Sequence, residues 1–135
     1  MKNIIITFIV LLFCGSVSAQ GINFEKCTYE EGLIKANNEN KLVFIDCYTE
    51  WCGPCKRLAK EVFTQEKIGA FYNTNFVCLK MDMEKGEGIE LASFYEVKSY
   101  PTLLILNTEG EVLGRMNGRT AEDLIDQANG ILKEK

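Results

Sequence analysis

The chain has 135 residues, 15 Lys and Arg against 19 Asp and Glu, a net charge of −4, and no histidine. That length supports one compact domain with one core. The acidic balance repels phosphate backbones and gives no electrostatic footprint for nucleic acid.

The first segment, Met1-Lys2-Asn3, precedes Ile4-Ile5-Ile6-Thr7-Phe8-Ile9-Val10-Leu11-Leu12-Phe13. One positive charge followed by a short apolar run has the pattern of a secretory signal, and the run is too short to span a bilayer comfortably. Val17-Ser18-Ala19 places small residues where a signal peptidase reads, so cleavage before Gln20 is expected. Cys14 offers a lipidation site as a rival, which bulky Phe13 disfavours; an uncleaved anchor is the other alternative. Cleavage removes Lys2 and leaves 116 residues, with 14 basic against 19 acidic side chains. The expected organisation is a signal peptide over 1–19 and one domain over 20–135. Export implies an oxidising compartment, periplasmic or extracellular.

Asn23 to Cys27 reads as a weak first strand. Thr28-Tyr29-Glu30-Glu31 is a capping-box pattern, opening a helix to about Asn38. Leu42 to Tyr48 is nearly all apolar, as expected of a central parallel strand covered on both faces. A helix is expected from Cys52 to about Phe63, and a second, capped by Thr64, to about Tyr72. Phe76 to Asp82 is a strand, Glu84 to Gly88 a flexible polar loop, and Ile89 to Tyr95 a short helix. Thr102 to Asn107 and Glu111 to Met116 are strands joined by a Thr108-Glu109-Gly110 turn. Thr120 opens a last helix whose Ala121, Leu124, Ile125, Ala128, Ile131 and Leu132 recur at helical spacing. The order βαβαβαββα predicts an α/β fold. Its mixed sheet has parallel crossovers, one antiparallel edge and helices on both faces.

The chemistry concentrates in Trp51-Cys52-Gly53-Pro54-Cys55-Lys56. Two cysteines three apart, after a strand and opening a helix, read as a redox pair. A helix beginning near Cys52 puts that sulfur at the positive end of the dipole, beside unpaired N–H groups, which stabilises a thiolate. Cys55 lies one turn on, within reach of a disulfide. Pro54 suits a first turn, since it lacks an N–H and has helical φ. A structural bridge over so short a loop stabilises little. Half a zinc site is the other bland reading, but there is no histidine, and Cys27, Cys47 and Cys78 lie at no ligand spacing. Neither metal nor cofactor is called for.

On these residues the chain resembles the thioredoxin family across residues 22–135. Asp46, six residues before Cys52, matches that family's buried aspartate, and Lys80 the lysine that neighbours it. Ser99-Tyr100-Pro101-Thr102 is similar to its cis-proline loop, and Gly118 to a glycine beside its active site. Lys60 stands where thioredoxins usually carry a kinking proline. The stretch from Cys55 to Glu66 looks more like the periplasmic C-terminal domain of DsbD-type interchange reductases, which fits export. No large insertion of the kind seen in cytochrome-maturation reductases is present.

The resemblance implies a thiol–disulfide oxidoreductase. Cys52 attacks a client disulfide and Cys55 resolves the mixed disulfide. Asp46, costly to desolvate inside an apolar strand, should have a raised pKa and act as base toward Cys55, directly or through water. Its bland reading is a tolerated polar residue facing water or Lys80. Lys80 either tunes Asp46 or is an exposed strand-end lysine. A cis bond before Pro101 would turn the Tyr100 backbone toward an extended client strand. Gly53, Pro54, Gly118, Trp51 and Tyr100 complete the expected client surface, with core packing the competing role for Trp51. Cys47 and Cys78 should face opposite sides of the sheet; a Cys27–Cys78 bridge would be awkward, so free thiols are expected. The expected partners are protein disulfides and an unidentified thiol electron donor, and the expected state is a monomer. A reductase leads, with an isomerase or oxidase, or a client-binding module without turnover, as alternatives.

Overall fold

The computed structural model describes residues 20–134. Residues 1–19, where a signal peptide is expected, lie outside the described residues, Cys14 among them. The elements are α1 (Tyr29–Glu39), β1 (Leu42–Tyr48), α2 (Gly53–Arg57, continuing as a π-helical turn over Leu58–Val62), α3 (Glu66–Asn75), β2 (Phe76–Asp82), α4 (Gly88–Phe94), β3 (Thr102–Leu106), β4 (Val112–Met116) and α5 (Ala121–Lys133). The order across the sheet is β2-β1-β3-β4.

Both expected helix caps form. The Thr28 hydroxyl accepts from the Glu31 N–H and the Glu31 carboxylate accepts from the Thr28 N–H, and Thr120 accepts from the Asp123 N–H. Strand alternation then sorts the core into two layers. Leu42 and Phe44 of β1, Cys78 of β2 and Leu103 and Ile105 of β3 pack with Leu58, Tyr72 and Leu124 of the helices on one face. Val43, Ile45 and Cys47, Leu79, and Leu104 and Leu106 pack with Ala36 and Tyr95 on the other. Cys47 and Cys78 therefore face opposite layers, and both, like half-buried Cys27, are free thiols. Burial pushes Cys47 up to about 12 and raises Cys78 as well, so neither is a nucleophile near neutrality.

Five local expectations are corrected. The first strand shrinks to one bridge, Phe24 to Cys78. Its neighbours are satisfied elsewhere: the Ile22 N–H donates to the Phe63 carbonyl, and the Asn73 amide clamps the Asn23 N–H and the Gly21 carbonyl. Among the described residues, the bridge at Phe24 and the β1–β2 pair are parallel, whereas β3 is antiparallel to β1 as well as to β4. The chain thus re-enters the sheet near the end where β2 left it, and Thr102 pairs with Cys47. The helix after the cysteines is interrupted by the π turn, in which the Phe63 N–H reaches the Leu58 carbonyl at 2.8 Å. Thr64 does not cap the next helix. Its hydroxyl donates back to the Lys60 carbonyl, and α3 starts after Gln65. The Glu84–Gly88 loop is tied to the fold rather than loose. Lys85 pairs with Glu50, and the Trp51 indole donates to Glu84.

Tyr72 is fully buried between α3 and α5, its ring 4.8 Å from that of Phe44 and its hydroxyl donating to the Leu124 carbonyl at 2.8 Å. Tyr72→Phe should cost about 1 kcal/mol, the net worth of one such bond. The expected readout is a lower urea midpoint at unchanged m-value.

Candidate active site: a dithiol at a helix N-terminus

β1 ends at Tyr48, and four residues later Cys52 takes the N-cap of α2 with extended backbone. Its sulfur accepts from the Cys55 N–H at 3.1 Å, the place an Asp or Ser oxygen fills in an ordinary cap. The Lys56 N–H donates to the Cys52 carbonyl at 3.2 Å, closing the first turn. Cys52 and Cys55 are joined in a disulfide with 5.3 Å between Cα atoms, within the usual span. Exposure does not distinguish the two residues, at 2% and 3%. Position does: the Cys52 sulfur sits where helix N–H groups and the dipole favour negative charge, and the Cys55 sulfur sits one turn inside. Open space where a Gly53 Cβ would stand leaves that approach clear.

Asp46 is 1% exposed, and neither carboxylate oxygen has a hydrogen-bond partner. Burial pushes it up to about 6 against the opposing pull of Lys80, whose Nζ lies 3.8 Å from Oδ2. Lys80 pairs with Asp46 in the β1–β2 register, and its ammonium also lies over the Tyr48 ring, 4.8 Å from the centroid. It is thus held beside Asp46, which decides against a loose strand-end lysine. A cavity of about 230 Å³, lined by Tyr48, Thr49, Cys55, Ala59 and Lys80 among others, connects the Cys55 side to Lys80. The Thr49 hydroxyl is buried and likewise unpartnered. A space this size has room for water beside Cys55, Thr49 and Lys80, the residue whose ammonium faces Asp46.

The Tyr100–Pro101 bond is cis. Both residues line a groove of about 660 Å³ with Pro54, Arg57, Leu58, Gly118 and Arg119. Trp51 is 67% exposed and meets Tyr100 edge-on, at 5.9 Å between centroids, so it forms a rim rather than core. Gly118 is required sterically: an added Cβ would come within 2.8 Å of Leu124 and 2.9 Å of Asp123. Every candidate residue therefore lies at or around the disulfide, with Asp46 and Lys80 behind it and the groove in front. Sequence reasoning missed Thr49, Glu84, Arg57 and Arg119. The adjacency of Arg57 to the motif and of Arg119 to Gly118 was the available signal. Among the described residues, no group of three or more His, Cys, Asp or Glu could hold a metal ion.

The thioredoxin family model matches residues 22–129. A solved structure described as a "putative disulphide-isomerase" from Bacteroides thetaiotaomicron is 46% identical, with a TM-score of 0.75, over 87% of this chain and 98% of that one. Thioredoxin-1 of Drosophila yakuba is 40% identical over 68 residues, and protein disulfide-isomerase of Datisca glomerata 30% identical over 90 residues, half and 66% of this chain respectively. The matched region spans 59% of the former and 18% of the latter. The chain belongs to the thioredoxin family, and its site holds a cysteine pair arranged for dithiol–disulfide exchange.

Because the Asp46 pKa is raised on folding, the folded state holds that proton more tightly than the unfolded chain. The associated stability is full below about pH 4, declines as pH rises toward 6, and is flat above; two pKa units amount to about 3 kcal/mol. Asp46→Asn should abolish that slope and raise stability at pH 7 by about 2–3 kcal/mol in urea titrations from pH 4 to 8. The same variant should slow resolution of mixed disulfides.

Proposed function

We propose that the protein is an exported thiol–disulfide oxidoreductase that chiefly reduces protein disulfides. The observation that carries this is the Cys52 sulfur, at a helix N-terminus and bonded to Cys55, with Pro54 between the two cysteines lining the same groove as cis-Pro101. In the reduced protein the Cys52 thiolate attacks a client disulfide and displaces one client thiolate. The Cys55 thiolate then attacks Cys52 and displaces the second. Two electrons pass to the client, whose thiolates take up two protons, and the protein is left with its disulfide. Asp46 accepts the Cys55 proton, directly or through water, and an external dithiol returns the pair to its reduced form.

The reductase direction is supported by Gly53-Pro54 between the cysteines, the dipeptide of strongly reducing thioredoxins at about −270 mV. Lys60 in place of the kinking proline, together with the apolar leader, supports likeness to periplasmic DsbD-type reductase domains. The acidic surface supports proteins rather than nucleic acids as partners. We take the working form to be a monomer fed by a membrane or soluble thiol donor. The isomerase named for the Bacteroides thetaiotaomicron relative gives a second reading.

Cys52→Ser should drop insulin reduction by a dithiol donor to the uncatalysed rate. Cys55→Ser should accumulate client mixed disulfides, visible on non-reducing gels. A Cys52→Ser protein that still works in cells would point to a binding module. A reduction potential near −270 mV favours the reductase, and one near −180 to −120 mV favours isomerase or oxidase activity.

A further inference from the structure

Two of the chain's three arginines, Arg57 and Arg119, line the groove beside the disulfide. They come from different elements, Arg57 from the end of α2 and Arg119 from the β4–α5 loop, and both are exposed. The Arg57 guanidinium reaches across to the Arg119 carbonyl at 3.5 Å. Among the described residues, neither arginine forms an ion pair. No carboxylate lines the groove. Asp123 accepts from the Arg119 N–H, Glu84 accepts from the Trp51 indole, Glu50 pairs with Lys85, and Glu61, one turn from Arg57, lies outside the groove lining and forms no ion pair with it. A protein with four more acidic than basic side chains thus leaves two cations unneutralised beside its reactive sulfur. Charges left open at a binding groove act on partner choice and encounter rate.

We propose that this groove selects client segments carrying an acidic side chain near the attacked cysteine, with Arg57 and Arg119 as the specificity-determining cations. The selection rests on the disulfide-exchange reading above and names its substrate class. Arg57 lies about 6 Å along the helix axis from Gly53, and a client strand advances about 3.3 Å per residue. Allowing for side-chain reach, the acidic residue falls roughly two to four positions from the cysteine. Glu84, on the Trp51 side of Tyr100, disfavours the reversed placement.

The test uses three disulfide-linked peptides that differ only in Glu, Gln or Lys three residues from the cysteine, with kcat/KM measured under a dithiol donor. The wild-type protein should prefer the Glu peptide over the Lys peptide about five- to tenfold at low salt, as two exposed charge pairs allow. The preference should shrink at high salt. In R57Q/R119Q, with folding checked by circular dichroism, the Glu-to-Lys ratio should fall to about one. Equal rates for all three peptides in the wild type, or a preference that survives high salt or the double substitution, would overturn the charge selection alone. Failure to reduce any peptide would overturn the exchange chemistry, and the selection with it.

Discussion

A sulfur atom stands where a helix cap needs an acceptor. The Cys55 N–H has no carbonyl four residues back inside the helix, and the Cys52 side chain fills that gap. One contact therefore ends the loop after β1, starts α2 and gives Cys52 a different electrical environment from Cys55. Because both residues are nearly closed to solvent, that asymmetry has to come from backbone dipoles rather than from accessibility. The rest of the domain serves to hold this cap against the cis-proline loop.

The second constraint is the charge buried beneath it. Asp46 shares a face with Leu42 and Phe44, an apolar layer that cannot solvate a carboxylate. Lys80 offsets part of the cost from 3.8 Å away but does not hydrogen-bond it. Such an arrangement lowers stability at neutral pH and, in the proposed mechanism, keeps a proton acceptor for Cys55. The parallel register that sets Asp46 opposite Lys80 is thus a functional feature as much as a structural one.

Much of this was legible in the residues. The strands at Leu42–Tyr48 and Phe76–Asp82 were bounded correctly because continuous apolar runs ended in polar turns. The Thr28 and Thr120 caps were readable because their chemistry is local. Asp46 stood out as a lone carboxylate in an apolar strand. Strand direction was not readable, since the nineteen residues between β2 and β3 are long enough to re-enter the sheet from either end. Nor was the role of Thr64, because a hydroxyl before a polar helix start is equally able to close the helix behind it. Arg57 and Arg119 are 62 positions apart, and only the folded sheet makes them neighbours.

The π turn at Leu58–Val62 has a consequence for phase. A turn widened by one residue rotates everything after it by about 100° relative to an uninterrupted helix. Val62 and Phe63, adjacent in the chain at the end of this turn, both point inward. Phe63 thereby meets the rings of Phe24 and Phe44, so the wider turn indirectly moors the amino-terminal segment to the sheet. The carbonyls loosened by the widening are taken up by Thr64 and Gln65 side chains. Without the Phe63 ring, Phe24 would keep one of its two aromatic neighbours, Phe44.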